Sequence, residues 1–294
     1  MSLSTSHFRL GLIGYPLGHS LSPKIHAAAL RSCGLEGDYS LFPIHPDDMG
    51  SLKDLLSRLR SGEIQGLNVT IPHKQNVMQV LDELTATARS IGAVNTIYLW
   101  DHKLIGDNTD APGFLRDLDR FLANSESPTA NRKSSIANRK SVIVLGAGGS
   151  ARAVVYALLM DGWQVTIAAR RIEQARGLAD SFSNDQLTVA DLNLSNIELS
   201  NIALVVNTTP VGMTPNVAGS PWPANLPFPP HAAIYDLVYN PRETKLVRDA
   251  CLQGLSATTG LGMLIEQAAL SFEIWTAHKP AREVMFAAAD QTAH

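Results

Sequence analysis

Cysteine is scarce. Cys33 and Cys251 are the only two in 294 residues and lie far apart, so a disulfide framework is not expected. Neither has a metal-type spacing, and no His/Cys cluster accompanies them, so no metal site is expected. No apolar run is long enough to cross a bilayer. Met1 to Ser6 is polar and lacks the apolar region of a signal peptide. The formal net charge of −3 offers no field for nucleic acid or an anionic membrane. The expectation is a cytoplasmic protein that binds neither. What is present is ordinary globular material: 45% hydrophobic and 17% charged residues, with length for two domains.

The most informative segment is Asn68-Val69-Thr70-Ile71-Pro72-His73-Lys74. It closes a strand-like run spanning Ile64 to Ile71. Asn68 and Thr70 are two apart, so on a strand their side chains share a face. Pro72 has no N–H to donate and ends the ladder. Lys74 then projects past the break. Two hydrogen-bonding groups and an ammonium delivered to one place suit a small hydroxylated or carboxylated ligand.

Around this segment β and α patterns alternate, which is the mark of a layered α/β domain. Strands are expected at 8–14 and 39–44. Helices are expected at 23–33, with Ser22 as N-cap, and at 47–59. Residues 93–100 and 103–105 read as a hairpin about Asp101-His102. A helix is expected at 112–122, with Asp110 a good N-cap for it. Residues 123–141 are polar, carry Asn-Arg-Lys-Ser twice, and read as a flexible surface insertion.

The apolar strand Val142–Leu145 then runs into Gly146-Ala147-Gly148-Gly149-Ser150-Ala151, followed by a helix to Met160 and a strand at 164–169. Gly146 permits the tight turn, Gly148 lets backbone approach a pyrophosphate, and small Ala151 allows close helix–strand packing. The helix N-terminus adds N–H groups and a favourable dipole. This is a dinucleotide-binding pattern in its required context. The second strand ends Ala168-Ala169-Arg170-Arg171. No carboxylate stands there for a ribose hydroxyl, and two guanidiniums can clamp a phosphate, which favours NADP over NAD. A helix is expected at 172–182, and a further buried strand at 202–206 ends in Asn207 to Met213. Seven of 16 prolines fall between Pro210 and Pro230, marking a stiff surface loop. A last strand at 233–238 and helices at 243–252, 262–275 and 280–289 complete the reading.

Eight segments in order resemble the NADP-dependent, biosynthetic shikimate dehydrogenase family. They are Gly14–Pro23, Asn68–Lys74, Gly92–Thr96, Gly106–Asp110, Gly146–Ala151, Asn207–Met213, Tyr235–Pro241 and Gly260–Ala269. The resemblance implies an α/β substrate domain from residues 1–110 and 260–294. It implies an inserted NADP-binding Rossmann domain at 111–259, with the cleft between them holding substrate and nicotinamide. It implies reversible, NADPH-dependent reduction of 3-dehydroshikimate to shikimate, a step towards chorismate and the aromatic amino acids. A homodimer is the family's usual assembly.

The resemblance also implies roles. Ser20 and Ser22 match residues that hold the substrate carboxylate, although Ser22 is equally explained as a cap. Asn68, Thr70, Asn95 and Gln267 match residues that bond ring hydroxyls and carboxylate, and Tyr239 a tyrosine near the substrate. Lys74 and Asp110 match the catalytic pair. Which of them moves the proton stays open, since a lysine base needs burial or cationic neighbours while Asp110 favours the ammonium. The cofactor set is Gly146, Ala147, Gly148, Gly149, Ser150, Ala151, Arg170 and Arg171, with Thr208, Met213, Leu237 and Gly260. Two departures stand out. The family's Asn-Arg-Thr is Ala169-Arg170-Arg171 here, and an acid often found before Gly260 is absent. Two other readings compete: a quinate/shikimate dehydrogenase using NAD, and a non-catalytic NADP-binding regulator, which would be expected to lose Lys74 or Asp110.

Overall fold

The computed structural model describes residues 7–18, 20–125 and 140–290. They form two units: residues up to 113 with 265 onward, and residues 114–264.

The first unit is built on a six-stranded mixed sheet. Its strands are β1 (Phe8–Gly14), β2 (Gly37–Pro43), β3 (Gly66–Val69), β4 (Glu83–Leu84), β5 (Thr96–Trp100) and β6 (Lys103–Asp107), in the order β2-β1-β3-β5-β6-β4. β1 runs parallel to β2 and β3, while β5 is antiparallel to β3 and β6. The hairpin turn is Asp101-His102, both with positive φ, the geometry a two-residue connection requires. Helix α1 (Ser22–Ser32) packs beside β2. Helix α2 (Met49–Arg60) buries Leu52, Leu55, Leu56 and Leu59, one stripe at helical spacing, against Ile13, Leu67 and Ile97. Each such leucine contributes about 1.5–3 kcal/mol on burial. Asp48 caps α2 by accepting from the Ser51 N–H at 3.0 Å. Short helices α3 (His73–Asn76) and α4 (Ala86–Ile91) follow. Gly66 has no room for a side chain because the Trp275 indole lies on it, 2.3 Å from where a Cβ would stand.

The second unit has a six-stranded sheet that is parallel throughout: β7 (Ser141–Leu145), β8 (Gln164–Ala169), β9 (Leu187–Asp191), β10 (Leu204–Asn207), β11 (Ala233–Asp236) and β12 (Ala257–Thr259). The order β9-β8-β7-β10-β11-β12 is the doubly wound Rossmann order, with its switch point between β7 and β10. Its central strands read as apolar runs because both faces are covered. Helix α5 (Asp110–Ser125) leads in, α6 (Gly149–Met160) follows β7, α7 (Ile172–Phe182) follows β8, and α8 (Lys245–Leu252) precedes β12. Helices α9 (Leu261–Thr276) and α10 (Arg282–Asp290) end the described chain.

Four expectations are corrected. Ser22 is not the N-cap of α1. Leu21 occupies that position with helical dihedrals and no side chain caps it, so Ser22 is already the first helical residue. Asp110 likewise belongs to α5, which runs on to Ser125. The polar insertion is therefore shorter than 123–141, and its span 126–139 lies outside the described residues. Strand β3 stops at Val69, because the chain turns at Thr70, whose carbonyl accepts from His73 N–H at 2.9 Å.

Candidate active site

Strand β3 delivers Asn68 to the interior of the first unit, where it is 5% exposed. Asn68 Oδ1 accepts from the Tyr39 hydroxyl at 2.8 Å, and Nδ2 donates to Ser271 Oγ at 3.0 Å and Asn95 O at 3.1 Å. Past the strand, α3 presents Lys74. Its carbonyl accepts from Val94 N–H at 2.7 Å, which ties it beside Asn95. His73 Nε2 donates to Ile44 O at 2.7 Å and anchors the same turn.

Lys74 Nζ and Asp110 Oδ2 form a buried ion pair at 2.6 Å, with side-chain exposures of 10% and 6%. Asp110 is available for this role because Asn108 does the capping. Asn108 Oδ1 accepts from the N–H groups of Asp110 (3.1 Å) and Ala111 (3.2 Å). The N-cap expectation for Asp110 is thereby overturned.

Asn95 is the hub. Its Oδ1 accepts from the Thr109 backbone N–H at 2.7 Å, which fixes the amide's orientation. Nδ2 then faces Asp110 Oδ1 (2.9 Å), Thr109 Oγ1 (2.9 Å) and Gln267 Oε1 (3.2 Å), three acceptors for two hydrogens. Behind it, Thr96, Thr109 and Ser271 form a triangle of hydroxyls with edges of 2.7, 3.0 and 3.2 Å. All three are buried. A buried polar network satisfied by itself rigidifies what it holds.

Lys74, Asp110, Asn68, Asn95 and Gln267 thus belong to one hydrogen-bonded cluster. Ser20, Ser22 and Thr70 lie outside it among the described residues. Ser20 Oγ accepts from Ser22 N–H at 3.2 Å, and Thr70 packs on Gly14. Tyr239 belongs to the second unit, where burial raises its hydroxyl pKa. Sequence reasoning missed Tyr39, Thr96, Thr109 and Ser271. The one signal for Ser271 was its place four residues after Gln267, on the same helix face.

His26 is fully buried beside this cluster and stacks on Tyr39, ring centroids 4.2 Å apart. Burial drives its pKa down to about 3, an effect the Asn68 amide only partly offsets, and neither ring nitrogen reaches a partner at hydrogen-bond geometry.

In the second unit the glycine loop lies at the carboxyl end of β7. Gly146 has φ +109°, and a Cβ there would meet Thr208 Oγ1 at 2.7 Å. Thr208 is held by its hydroxyl donating to Leu145 O at 2.7 Å. Ala147, Gly149 and Ser150 are half-buried, and Ala151 is buried against the sheet. Gly148 is exposed, has open space where a Cβ would stand, and is the N-cap of α6, which no side chain caps. The first N–H groups of α6 are therefore left without a side-chain cap, as an anion site requires. Arg170 and Arg171 are exposed at the end of β8 and have no ionic partner among the described residues. These donors fit a pyrophosphate and a further phosphate. One carboxylate does stand a strand away: Asp191, in register with Ala169, accepts from Asn193 N–H at 3.1 Å.

The loops after β10 and β11 are fixed by a buried pair. Asn207 Nδ2 donates to Asp236 Oδ1 at 2.7 Å, and Thr244 Oγ1 to Asp236 Oδ2 at 2.6 Å. Burial pushes the Asp236 pKa up. Gly260 passes so close to Leu237 that a Cβ would sit 2.3 Å from its carbonyl oxygen. Met213 is exposed at the edge of this group.

Residues 12–97 match the family described as shikimate dehydrogenase substrate binding domain. Residues 129–213 match shikimate / quinate 5-dehydrogenase, and 260–289 the shikimate 5'-dehydrogenase C-terminal domain. The shikimate dehydrogenase (NADP(+)) of Salinibacter ruber is 41% identical over 283 residues, 94% of each chain. The crystal structure of shikimate 5-dehydrogenase from Thermus thermophilus in complex with NADP(H) and shikimate is 37% identical. It superposes with a TM-score of 0.82 over 97% of this chain and 99% of that one. Quinate dehydrogenase from Corynebacterium glutamicum in complex with NAD is 30% identical, with a TM-score of 0.83 over 97% and 99%. Among the described residues no group of His, Cys, Asp and Glu is placed to hold a metal, and no helix is long and apolar enough to cross a membrane.

Proposed function

The chain belongs to the shikimate dehydrogenase family, and from that premise we propose that it interconverts 3-dehydroshikimate and shikimate with NADP(H). The observation that carries this reading is the buried Lys74–Asp110 pair, bonded through Asn95 to Gln267. NADPH, when bound, supplies the hydride that reduces the C3 carbonyl. The oxygen at C3 then gains negative charge and needs a proton. Lys74 is the donor in that direction and the acceptor in reverse. Asp110 orients the ammonium and holds a substrate hydroxyl, and Asn95 in turn fixes Asp110. Asn68, Thr70 and Gln267 bond the remaining ring hydroxyls, with Ser20 and Ser22 on the carboxylate and Tyr239 nearby. On this reading the first unit is the substrate domain and the second holds NADP. The first N–H groups of α6 take the pyrophosphate, and Arg170 with Arg171 takes the 2′-phosphate. Thr208, Met213, Leu237 and Gly260 line the nicotinamide half. The protein acts in the cytoplasm, as a homodimer, in the supply of chorismate.

The Corynebacterium glutamicum likeness favours one second reading, a dehydrogenase of quinate with NAD. The paired arginines after β8, with no acid among them, weigh against it. A non-catalytic regulator would have no use for a buried Lys–Asp pair. Steady-state rates with shikimate and quinate, each with NADP⁺ and NAD⁺, decide among the three. Turnover chiefly with shikimate and NADP⁺ is expected. Dominant quinate or NAD⁺ turnover selects the second reading, and cofactor binding without turnover on any pair selects the regulator.

A further inference from the structure

Gly113 lies in the first turn of α5, buried, three residues after Asp110. Glycine is among the poorest helix formers, so something other than helix stability selects it. A Cβ at this position would stand 2.8 Å from the backbone nitrogen of Gln267, 2.9 Å from its Cβ and 3.1 Å from its Cα. These atoms belong to α9 and cannot swing aside as the end of a long side chain can. Any other residue at 113 must push the Gln267 segment away.

Where Gln267 stands matters to the cluster. Its Oε1 accepts from Asn95 Nδ2 at 3.2 Å, already the longest of that nitrogen's three contacts. A shift of a few tenths of an ångström carries it out of hydrogen-bond range, while the contact from Asn95 to Asp110 at 2.9 Å survives. The first turn of α5 thus carries both Asp110, which faces Lys74, and the gap that admits Gln267.

We propose that Gly113 is a positioning residue for substrate binding: the missing side chain sets the reach of the Gln267 amide relative to Asn95 and Asp110. This rests on the reading of Gln267 as a substrate ligand. Its mark is selective, with the KM for shikimate rising while the KM for NADP⁺ does not.

The test compares Gly113→Ala, Gln267→Ala, their double variant and Gln267→Asn in the full chain. Gly113→Ala is expected to raise the shikimate KM about ten- to a hundredfold, the range that misplacing a binding group costs. The KM for NADP⁺ should stay within about twofold, and the double variant should be no worse than Gln267→Ala alone. Gln267→Asn leaves the helix packing intact and withdraws the amide by one carbon, so its KM should match that of Gln267→Ala. Wild-type KM in Gly113→Ala, or effects that multiply in the double variant, would overturn the proposal. If Gly113→Ala gives no soluble protein, Gln267→Asn decides, since a wild-type KM there means that small displacements of the amide do not matter. A wild-type KM in Gln267→Ala instead removes the substrate role of Gln267 itself.

Discussion

In the first unit the polar side chains of the cluster are buried and held by one another: Lys74 by Asp110, Asp110 by Asn95, Asn95 by Thr109, Asn68 by Ser271. In the second, the groups suited to phosphate are exposed or half-buried, and what holds them is backbone: the φ of Gly146, the start of α6, the end of β8. On the proposed function, the difference follows from what each must recognise. A small ring with several hydroxyls is told from its analogues by fixed donors and acceptors, which need a rigid polar interior. A phosphate is recognised by charge and N–H groups, which a helix terminus and a pair of arginines provide without a dense network.

The contrast breaks most sharply at Lys74. Lys74→Ala should cut turnover by about a hundredfold or more while cofactor binding persists, as loss of a general acid–base requires. Stability should fall too, by about 3–5 kcal/mol, because Asp110 is left buried without its cation. Lys74→Ala with Asp110→Asn should recover part of that loss in urea melts. A double variant no more stable than the single would show that the pair does not depend on mutual charge.

The second unit should respond differently. Arg170→Ala or Arg171→Ala should raise the KM for NADP⁺ about ten- to a hundredfold, corresponding to about 1.5–3 kcal/mol for a hydrogen bond to a charged group. The KM for NAD⁺ should hold, and so should thermal stability, since both arginines are exposed. Equal losses with both cofactors would remove the phosphate assignment.

His26 brings pH into the comparison. Its folded pKa of about 3 lies below the ordinary 6.5, so between these values the unfolded chain binds a proton that the folded one does not. Stability contributed by the neutral ring is therefore present above about pH 6.5 and is lost as pH falls towards 3, at about 1.4 kcal/mol per unit. His26→Phe should flatten this limb in denaturant melts compared between neutral and mildly acidic buffer, about pH 7 and about pH 4.5. An unchanged slope would place the acid sensitivity elsewhere. The smallest effect is expected at Gly177, mid-helix in α7, exposed, with nothing near its absent Cβ. Gly177→Ala should stabilise by about 0.5–1 kcal/mol with kinetics unchanged, the opposite of the expected outcome at Gly113.

How far the sequence revealed these regions depended on how local the cause was. Strand 164–169 and helix 172–182 were legible to the residue, because an apolar run and an amphipathic period each carry their own ends. The glycine loop was legible because backbone geometry selects residue type directly. The cap position expected of Ser22, and the cap role Asp110 could also have filled, did not hold, because a cap depends on the dihedrals of the preceding residue and on rivals such as Asn108. Strands β9 and β12 escaped notice because they are short and partly polar, and exist by pairing with β8 and β11. The hydroxyl triangle had no sequence signature, since Thr96, Thr109 and Ser271 meet only through the fold. Lys74, Asp110 and Asn95 stand in recognisable motifs, but their mutual bonds exist only through the fold.

With two hydrogens and three acceptors in reach, the Asn95 amide always serves one oxygen less well than the others, and the longest contact marks Gln267 as that oxygen. On the reading of Gln267 as a substrate ligand, a hydroxyl that donates to it competes with the weakest of the three contacts, and Asn95 loses little when that contact goes. On the proposed function, arrival of the ring is an exchange of partners in which Asp110 keeps its own bond to Asn95, so the Lys74–Asp110 pair need not be rebuilt at each turnover.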